Sequence, residues 1–255
     1  MSSEATNPVY VVFGATGGVG AELARRLATR QEGSTVILAA RDEAKLEKLR
    51  SDVGGESEVV DILHHDQVAA LMSKIAEKHG RVTGVANCVG SMLLKPAHIT
   101  SEAEFRNQIE INLVSAFNIV KGSVKAMMKS GGGSIALCSS AVADHGYANH
   151  EAVAAAKGGV TGLAKSAAAT YAPHNIRVNV VSPGLIAGTN MTSRISGSEA
   201  ALKASKGMHA LGRVGQPRDV ASALEFLLYP ENDFITGAVL NVDGGLGNAA
   251  PVKQR

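Results

Sequence analysis

A glycine-rich turn, Gly14-Ala15-Thr16-Gly17-Gly18-Val19-Gly20, directly follows the apolar run Val9 to Phe13 and leads into a stretch from Ala21 to Arg30. Strand, glycine turn and helix in this order suit a pyrophosphate. Glycine lets the backbone turn tightly and approach the anion, while free amides and the positive end of the helix dipole attract it. A bare tight turn is the alternative, and position at the first strand-helix junction favours the anion site. Three groups able to donate a proton, His145, Tyr147 and His150, fall within six residues of one another. Imidazole titrates near neutrality and suits acid-base work. The competing reading has all three lining a pocket, or His150 capping a helix start. His64-His65 are adjacent after an apolar run, so their side chains point apart, which suits a solvated turn better than a metal.

The elements that must position these groups are legible in the apolar pattern. Short runs rich in Val and Ile span Val9 to Phe13, Thr35 to Ala40, Glu58 to Ile62, Gly84 to Val89, Ser134 to Ser139, Arg177 to Val181 and Ala238 to Val242. Their near-continuous apolar character is that of a parallel sheet covered on both faces. Helical patterns separate them: Val19, Leu23 and Leu27 recur every fourth residue, and Val68, Leu71, Met72 and Ile75 mark one helix face. Ser101-x-x-Glu104 is a capping box opening a longer helix, and Pro217 suits a first helical turn. No Pro/Ser-rich linker or repeat interrupts the alternation. The expectation is one Rossmann-type, doubly wound α/β domain over residues 1–255, with a core of about 8–247 and about seven parallel strands between two helix layers. Thr189 to Ala210 carries only a weak apolar stripe and reads as an irregular substrate loop.

Composition excludes several function classes. With 255 residues, Lys+Arg 25 against Asp+Glu 23 and a net charge of +2, no nucleic-acid partner is called for, and no apolar run is long enough to span a bilayer. Aromatics at 4% and no Trp disfavour stacking platforms. The chain's two cysteines, Cys88 and Cys138, have neither Cys-x-x-Cys nor Cys/His metal spacing, which fits a reducing compartment and no metal. A polar N-terminus carrying Glu4 adds to a cytoplasmic expectation, or an organelle if a transit peptide has been removed.

Gly14-x-x-x-Gly18-x-Gly20 is not the evenly spaced G-x-G-x-x-G fingerprint. It resembles the variant of the short-chain dehydrogenase/reductase family. Further motifs extend the resemblance over about residues 8 to 247: Asp61 after the third strand, Asn87-Cys88-Val89-Gly90 after the fourth, Ile111-Asn112-Leu113, Ser139-Ser140, Lys157-Gly158-Gly159, Arg177 through Gly184, Thr236-Gly237 and Val242-Asp243-Gly244-Gly245. The resemblance implies a nicotinamide dinucleotide held by Gly14, Thr16, Gly17, Gly18, Val19, Gly20, Arg41, Asp61, Ile62, Asn87, Gly90, Lys157, Pro183, Gly184, Ile186 and Thr189. It implies that Ser140 orients the substrate oxygen, that Lys157 holds the nicotinamide ribose, and that Asn112 keeps the active-site water chain in place. Cys88 and Cys138 then lie near the ends of neighbouring strands, either as buried small side chains or as thiols near the nicotinamide.

One departure matters more than these matches. The family's catalytic tyrosine stands four residues before the lysine, and here that residue is Val153 in His150-Glu151-Ala152-Val153-Ala154-Ala155-Ala156-Lys157. A positioned acid contributes about 10² to 10⁴ in rate, so its loss weakens the reaction without abolishing it. The proton then comes from water, from Tyr147 or from His150, the last lying one turn before Val153 if the helix includes it. At the end of the second strand Ala40 is neutral and Arg41 follows. A guanidinium there pairs with a 2′-phosphate where an acid would accept ribose hydroxyls, so NADP(H) is expected over NAD(H), although Gly17 is not the basic residue many NADP-dependent relatives carry. The Ala-rich helix with Gly158 and Gly162 is expected to pack against a copy of itself in a homodimer or homotetramer. The activity expected is oxidoreduction of a carbonyl, alcohol or activated double bond on a small molecule. A nucleotide-binding pseudoenzyme and a non-redox cyclase or isomerase are the rivals.

Overall fold

The structure, a computed structural model, describes residues 7–30 and 33–249. The polar segment before Asn7 lies outside the described residues. Seven parallel strands form one sheet in the order β3-β2-β1-β4-β5-β6-β7, with β1 at Val9–Phe13, β2 at Thr35–Ala40, β3 at Glu56–Val59, β4 at Gly84–Asn87, β5 at Gly133–Cys138, β6 at Ile176–Pro183 and β7 at Val239–Val242. Helices α1 (Gly18–Arg30), α2 (Glu43–Val53), α3 (His65–His79), α4 (Glu102–Ile109), α5 (Ser115–Lys129), α6 (Glu151–Tyr171), α7 (Ser193–Ser196), α8 (Glu199–Met208) and α9 (Pro217–Leu228) complete the fold. Alternation along β1 shows why its sequence is apolar throughout. Val9, Val11 and Phe13 enter the core cluster that contains Met72, Ile119 and Val160 of α3, α5 and α6, while Tyr10 and Val12 enter the one that contains Leu23 of α1, Leu46 of α2 and Leu224 of α9. Chain order reverses between β1 and β4, and in open α/β sheets ligands bind in the crevice at that switch point.

Three expectations need correction. β3 begins two residues earlier than the apolar run suggested and ends at Val59, because it is an edge strand whose Glu56 and Glu58 pair with Lys78 and Lys74 of α3 at 2.6 and 2.7 Å. The helix opened by the Ser101–Glu104 capping box is not continuous: a π turn over Glu110–Val114, with Ser115 N–H donating to Glu110 O, separates α4 from α5 and has the buried Asn112 at its centre. Such a widened turn is frequent at functional sites. Thr189 to Ala210 is not an irregular loop. It contains a 3₁₀ turn at Asn190–Thr192, α7 and α8, the last capped by Ser198 accepting from Ala201 N. No α8 residue is fully buried; Ala201, Ala204, Ser205 and Met208 face a cavity instead of the core, which is why the stripe is weak. Among the described residues no helix is long and apolar enough to cross a membrane.

Candidate active site

A cavity of about 1210 Å³ opens at the carboxyl ends of the strands. The glycine turn forms one wall. Gly14 has φ +76° and lies so close to β4 that a Cβ there would stand 2.8 Å from Val89 Cγ2 and 3.0 Å from the Cys88 carbonyl carbon. Its N–H donates to Ala39 O at 2.8 Å, which ties the turn to β2. At Gly20 a Cβ would meet Gly14 O at 2.2 Å, so this glycine serves close packing of α1 on the turn and does not line the cavity. Thr16, Gly17, Gly18 and Val19 do line it. First-turn amides have no acceptor within their own helix, so the start of α1 offers an anion a set of donors.

At the end of β2, Arg41 lines the cavity, is exposed and has no ion pair among the described residues. An acid does stand nearby. Asp42 caps α2, accepts from Lys45 N at 3.1 Å and pairs with Lys45 Nζ at 2.7 Å, which holds its carboxyl below the usual range. Asp42 and Lys45 both line the cavity, although the charge run Arg41 to Arg50 reads in the sequence as a mostly exposed helix face with Arg41 its one exception. Asp61 and Ile62 lie beyond the last residue of β3. Asp61 Oδ1 accepts from Leu63 N at 3.1 Å, and Asn118 Nδ2 donates to Ile62 O at 2.9 Å, fixing this rim.

The middle of the cavity is built around Gly90, where a Cβ would lie 3.1 Å from Asn112 Oδ1, 3.2 Å from Lys157 Nζ and 3.3 Å from Met191 Cε. Asn87 and Asn112 are buried and do not line it. Asn87 Oδ1 accepts from Val89 N at 3.0 Å; Asn112 Oδ1 accepts from Ser91 N at 3.0 Å while its Nδ2 donates to Gln108 O. Both therefore shape the loop after β4. Ser139 Oγ donates to Lys157 O at 2.9 Å and joins the end of β5 to α6. Ser140 faces the cavity, its Oγ taking Val142 N–H at 3.4 Å, so the hydroxyl hydrogen is available to a ligand. Lys157 is 6% exposed; Nζ donates to Cys138 O at 2.9 Å, and burial pushes its pKa down. One turn before it, Val153 is buried against the same cavity.

His150 is not on the face of Val153. It precedes α6 as the N-cap, with φ −110° and ψ 9°, and its Nδ1 lies 2.8 Å from Ala148 O. Tyr147 Oη donates to Leu246 O at 2.9 Å, its ring 5.9 Å from that of His150, and burial pushes the phenol's pKa up, with Asp243 adding to the effect. Both rings line the cavity. Cys88 and Cys138 also line it and are half-buried, packed on one side against the core. His64 caps α3 and is exposed, and no metal-binding group occurs among the described residues.

The far wall is formed by Pro183, Gly184, Ile186 and Thr189. His209, which no sequence signal marked, is 3% exposed there. Its Nε2 accepts from Leu185 N at 3.3 Å, so the proton sits on Nδ1, 2.6 Å from Ser205 O. Met92, Leu94, Met191, Met208 and Leu246 make the mouth apolar. The glycine turn, the Ser140 hydroxyl and the buried Lys157 ammonium thus share one space with apolar side chains.

Comparison with known proteins agrees with this geometry. The profile of the family described as enoyl-(acyl carrier protein) reductase matches residues 14–247. The 3-oxoacyl-[acyl-carrier-protein] reductase of Thermotoga maritima is 34% identical over 245 residues, covering 93% of this chain and 97% of that one. The cis-4-hydroxycyclohexanecarboxylate dehydrogenase of Sinomonas cyclohexanicum is 37% identical over 242 residues, 93% and 95% of the two chains. Among solved structures, an actinorhodin polyketide ketoreductase with NADPH superposes with a TM-score of 0.87 at 30% identity, covering 95% of this chain and 98% of that one.

Proposed function

Since the chain belongs to the short-chain dehydrogenase/reductase family of oxidoreductases, we propose that it interconverts a carbonyl and an alcohol on a small, largely apolar substrate with NADP(H), at a site that lacks the usual tyrosine. The observation that carries this reading is the meeting of the glycine turn, Arg41, Ser140 and Lys157 in one cavity. Gly14, Gly17 and Gly18 on the cavity wall and the first-turn amides of α1 fit a pyrophosphate, so the residues present suit the cofactor. When bound, it supplies or accepts the hydride. Ser140 donates its free hydroxyl hydrogen to the substrate oxygen. Lys157, with one hydrogen committed to Cys138 O, would offer its others to the ribose of a bound dinucleotide and to the space beside Val153. Val153 offers no proton; the lowered pKa of the Lys157 ammonium makes it the charged group best placed to pass one through solvent in the cavity. Tyr147 and His150, each bonded to a backbone carbonyl and set outside the helix, orient the substrate in this reading.

NADP(H) is favoured because Arg41 is unpaired among the described residues while Asp42 is neutralised by Lys45. Calorimetric titration tests this: NADPH is expected to bind more tightly than NADH, and Arg41→Ala to weaken NADPH by about 10- to 100-fold while barely moving NADH. An unchanged ratio would remove the argument. A homo-oligomer through α6 is supported by Gly158 and Gly162, where an added Cβ would meet nothing within 4 Å, so their smallness serves no packing inside the chain. Light scattering should give a mass of at least two chains at micromolar concentration, and a monomer would contradict the assembly.

A further inference from the structure

The two cysteines are the chain's entire complement, and the fold puts them side by side. Strands β4 and β5 are paired with Ala86 opposite Ala136 and Asn87 opposite Leu137. One residue further, the same register sets Cys88 opposite Cys138. Side chains alternate between the faces of a strand, so both cysteines share the face of Ala86 and Ala136, and all four pack with the core cluster beneath α1 and α9. Parallel neighbours stand about 4.8 Å apart, within the Cα separation of roughly 4.4–6.8 Å that a disulfide accepts. The Lys157 ammonium, whose Nζ donates to Cys138 O at 2.9 Å, lies near enough to favour the thiolate of either. Within the pair, the neighbouring Cys88 thiol holds the Cys138 thiol below its ordinary pKa, while Cys88 is pushed up by Cys138 and by burial. Both sulfurs belong to residues that line the cavity, so a small polar oxidant reaches them from the site's own entrance.

We propose that Cys88 and Cys138 form a dithiol modification site that a hydroperoxide converts to an intramolecular disulfide on the floor of the cofactor cavity. The Cys138 thiolate attacks the distal peroxide oxygen; the O–O bond breaks, the alcohol or water leaves with a proton from solvent, and Cys138 becomes a sulfenic acid. The Cys88 sulfur then attacks the Cys138 sulfur. The S–O bond breaks and hydroxide departs as water with the Cys88 proton. Two thiols lose two electrons in total and the peroxide gains them. Neither the carbonyl chemistry nor the choice of dinucleotide enters these steps, so this proposal goes beyond that reading and stands or falls apart from it.

The test is exposure of the reduced, cofactor-free protein to hydrogen peroxide, alkylation of remaining thiols, and mass measurement of the intact chain and its non-reduced peptides. Expected is the joint loss of both thiols, a mass lower by two hydrogens, a peptide pair linked through Cys88 and Cys138 within one chain, and reversal by dithiothreitol. Cys88→Ser should stop at a sulfenic acid on Cys138 trapped by a cyclic dione, whereas Cys138→Ser should slow oxidation by about tenfold or more because the activated sulfur is gone. Links between chains, independent oxidation of each cysteine to sulfinic acid, or thiols that both remain alkylatable under peroxide sufficient to oxidise free glutathione would each overturn the proposal.

Discussion

Val153→Tyr is expected to raise the rate of carbonyl reduction by about 10² to 10⁴, the contribution of a positioned general acid. Val153 and Lys157 both lie in α6, one turn apart, and both line the cavity that Ser140 faces. A phenol at 153 therefore enters the same space, where the neighbouring ammonium lowers its pKa and the Ser140 hydroxyl holds the oxygen to be protonated. The gain should appear in kcat and kcat/KM together, with NADPH affinity unchanged, because the added group acts in the transition state and not on the dinucleotide. The companion variants Tyr147→Phe and His150→Phe locate the existing proton source. If either lowers turnover as strongly as Val153→Tyr was expected to raise it, and Val153→Tyr gains nothing, the proton site has been relocated to that ring and the assignment to Lys157 and solvent is wrong.

Lys157→Met is expected to act on stability and activity in opposite directions. The ammonium is 6% exposed and its only bond among the described residues is to the Cys138 carbonyl, with no carboxylate partner. Burying such a charge is costly, and an apolar chain of similar length removes the cost, so the variant should be more stable at neutral pH by about 1–3 kcal/mol. For a chain of this size that corresponds to a rise in Tm of about 2–4 °C per kcal/mol. The pH dependence follows from the direction of the shift. Burial lowers the folded pKa below the ordinary 10.5. Between the two values the unfolded chain binds more protons than the folded one, so this residue's contribution to stability grows as pH rises through that window and is lost as pH falls through the folded pKa. Lys157→Met should abolish that alkaline gain. Turnover should fall by about 10² or more if, as proposed, Lys157 both holds the ribose and supplies the charge beside Val153. A variant of lower Tm, or one that keeps its activity, would show that the lysine is a structural element and no part of the reaction.

Where chemistry dictated a local pattern, the sequence was readable. β1 and β2 begin and end where their apolar runs do, because both are buried on two faces and every position is under the same demand. The glycine turn was legible for a related reason: Gly14 needs a positive φ and Gly20 a missing Cβ, and no other residue satisfies both. β3 was misplaced because an edge strand takes its charged residues from pairing with α3 and not from a core. The π turn at Asn112 has no periodic signature, since one extra residue per turn shifts the helix face without altering composition. α8 was missed because its small and apolar side chains face a cavity. Asp42, Lys45 and His209 could be placed only by folding, as their meaning lies in what stands across the cavity from them. Asn87 and Asn112 correspond to family motifs yet act one layer back, through Val89 and Ser91.

The measurement that bears most directly on the account is NADPH oxidation by the purified protein over a panel of cyclic ketones, 3-oxoacyl thioesters and enones, with the alcohol or reduced product identified by mass. NADPH consumption matched by alcohol formation on an apolar ketone or 3-oxoacyl thioester, slow in the native chain and raised by Val153→Tyr, is the predicted result. NADPH that binds tightly but is consumed with no substrate in either protein would contradict it and leave a nucleotide-binding protein without redox chemistry.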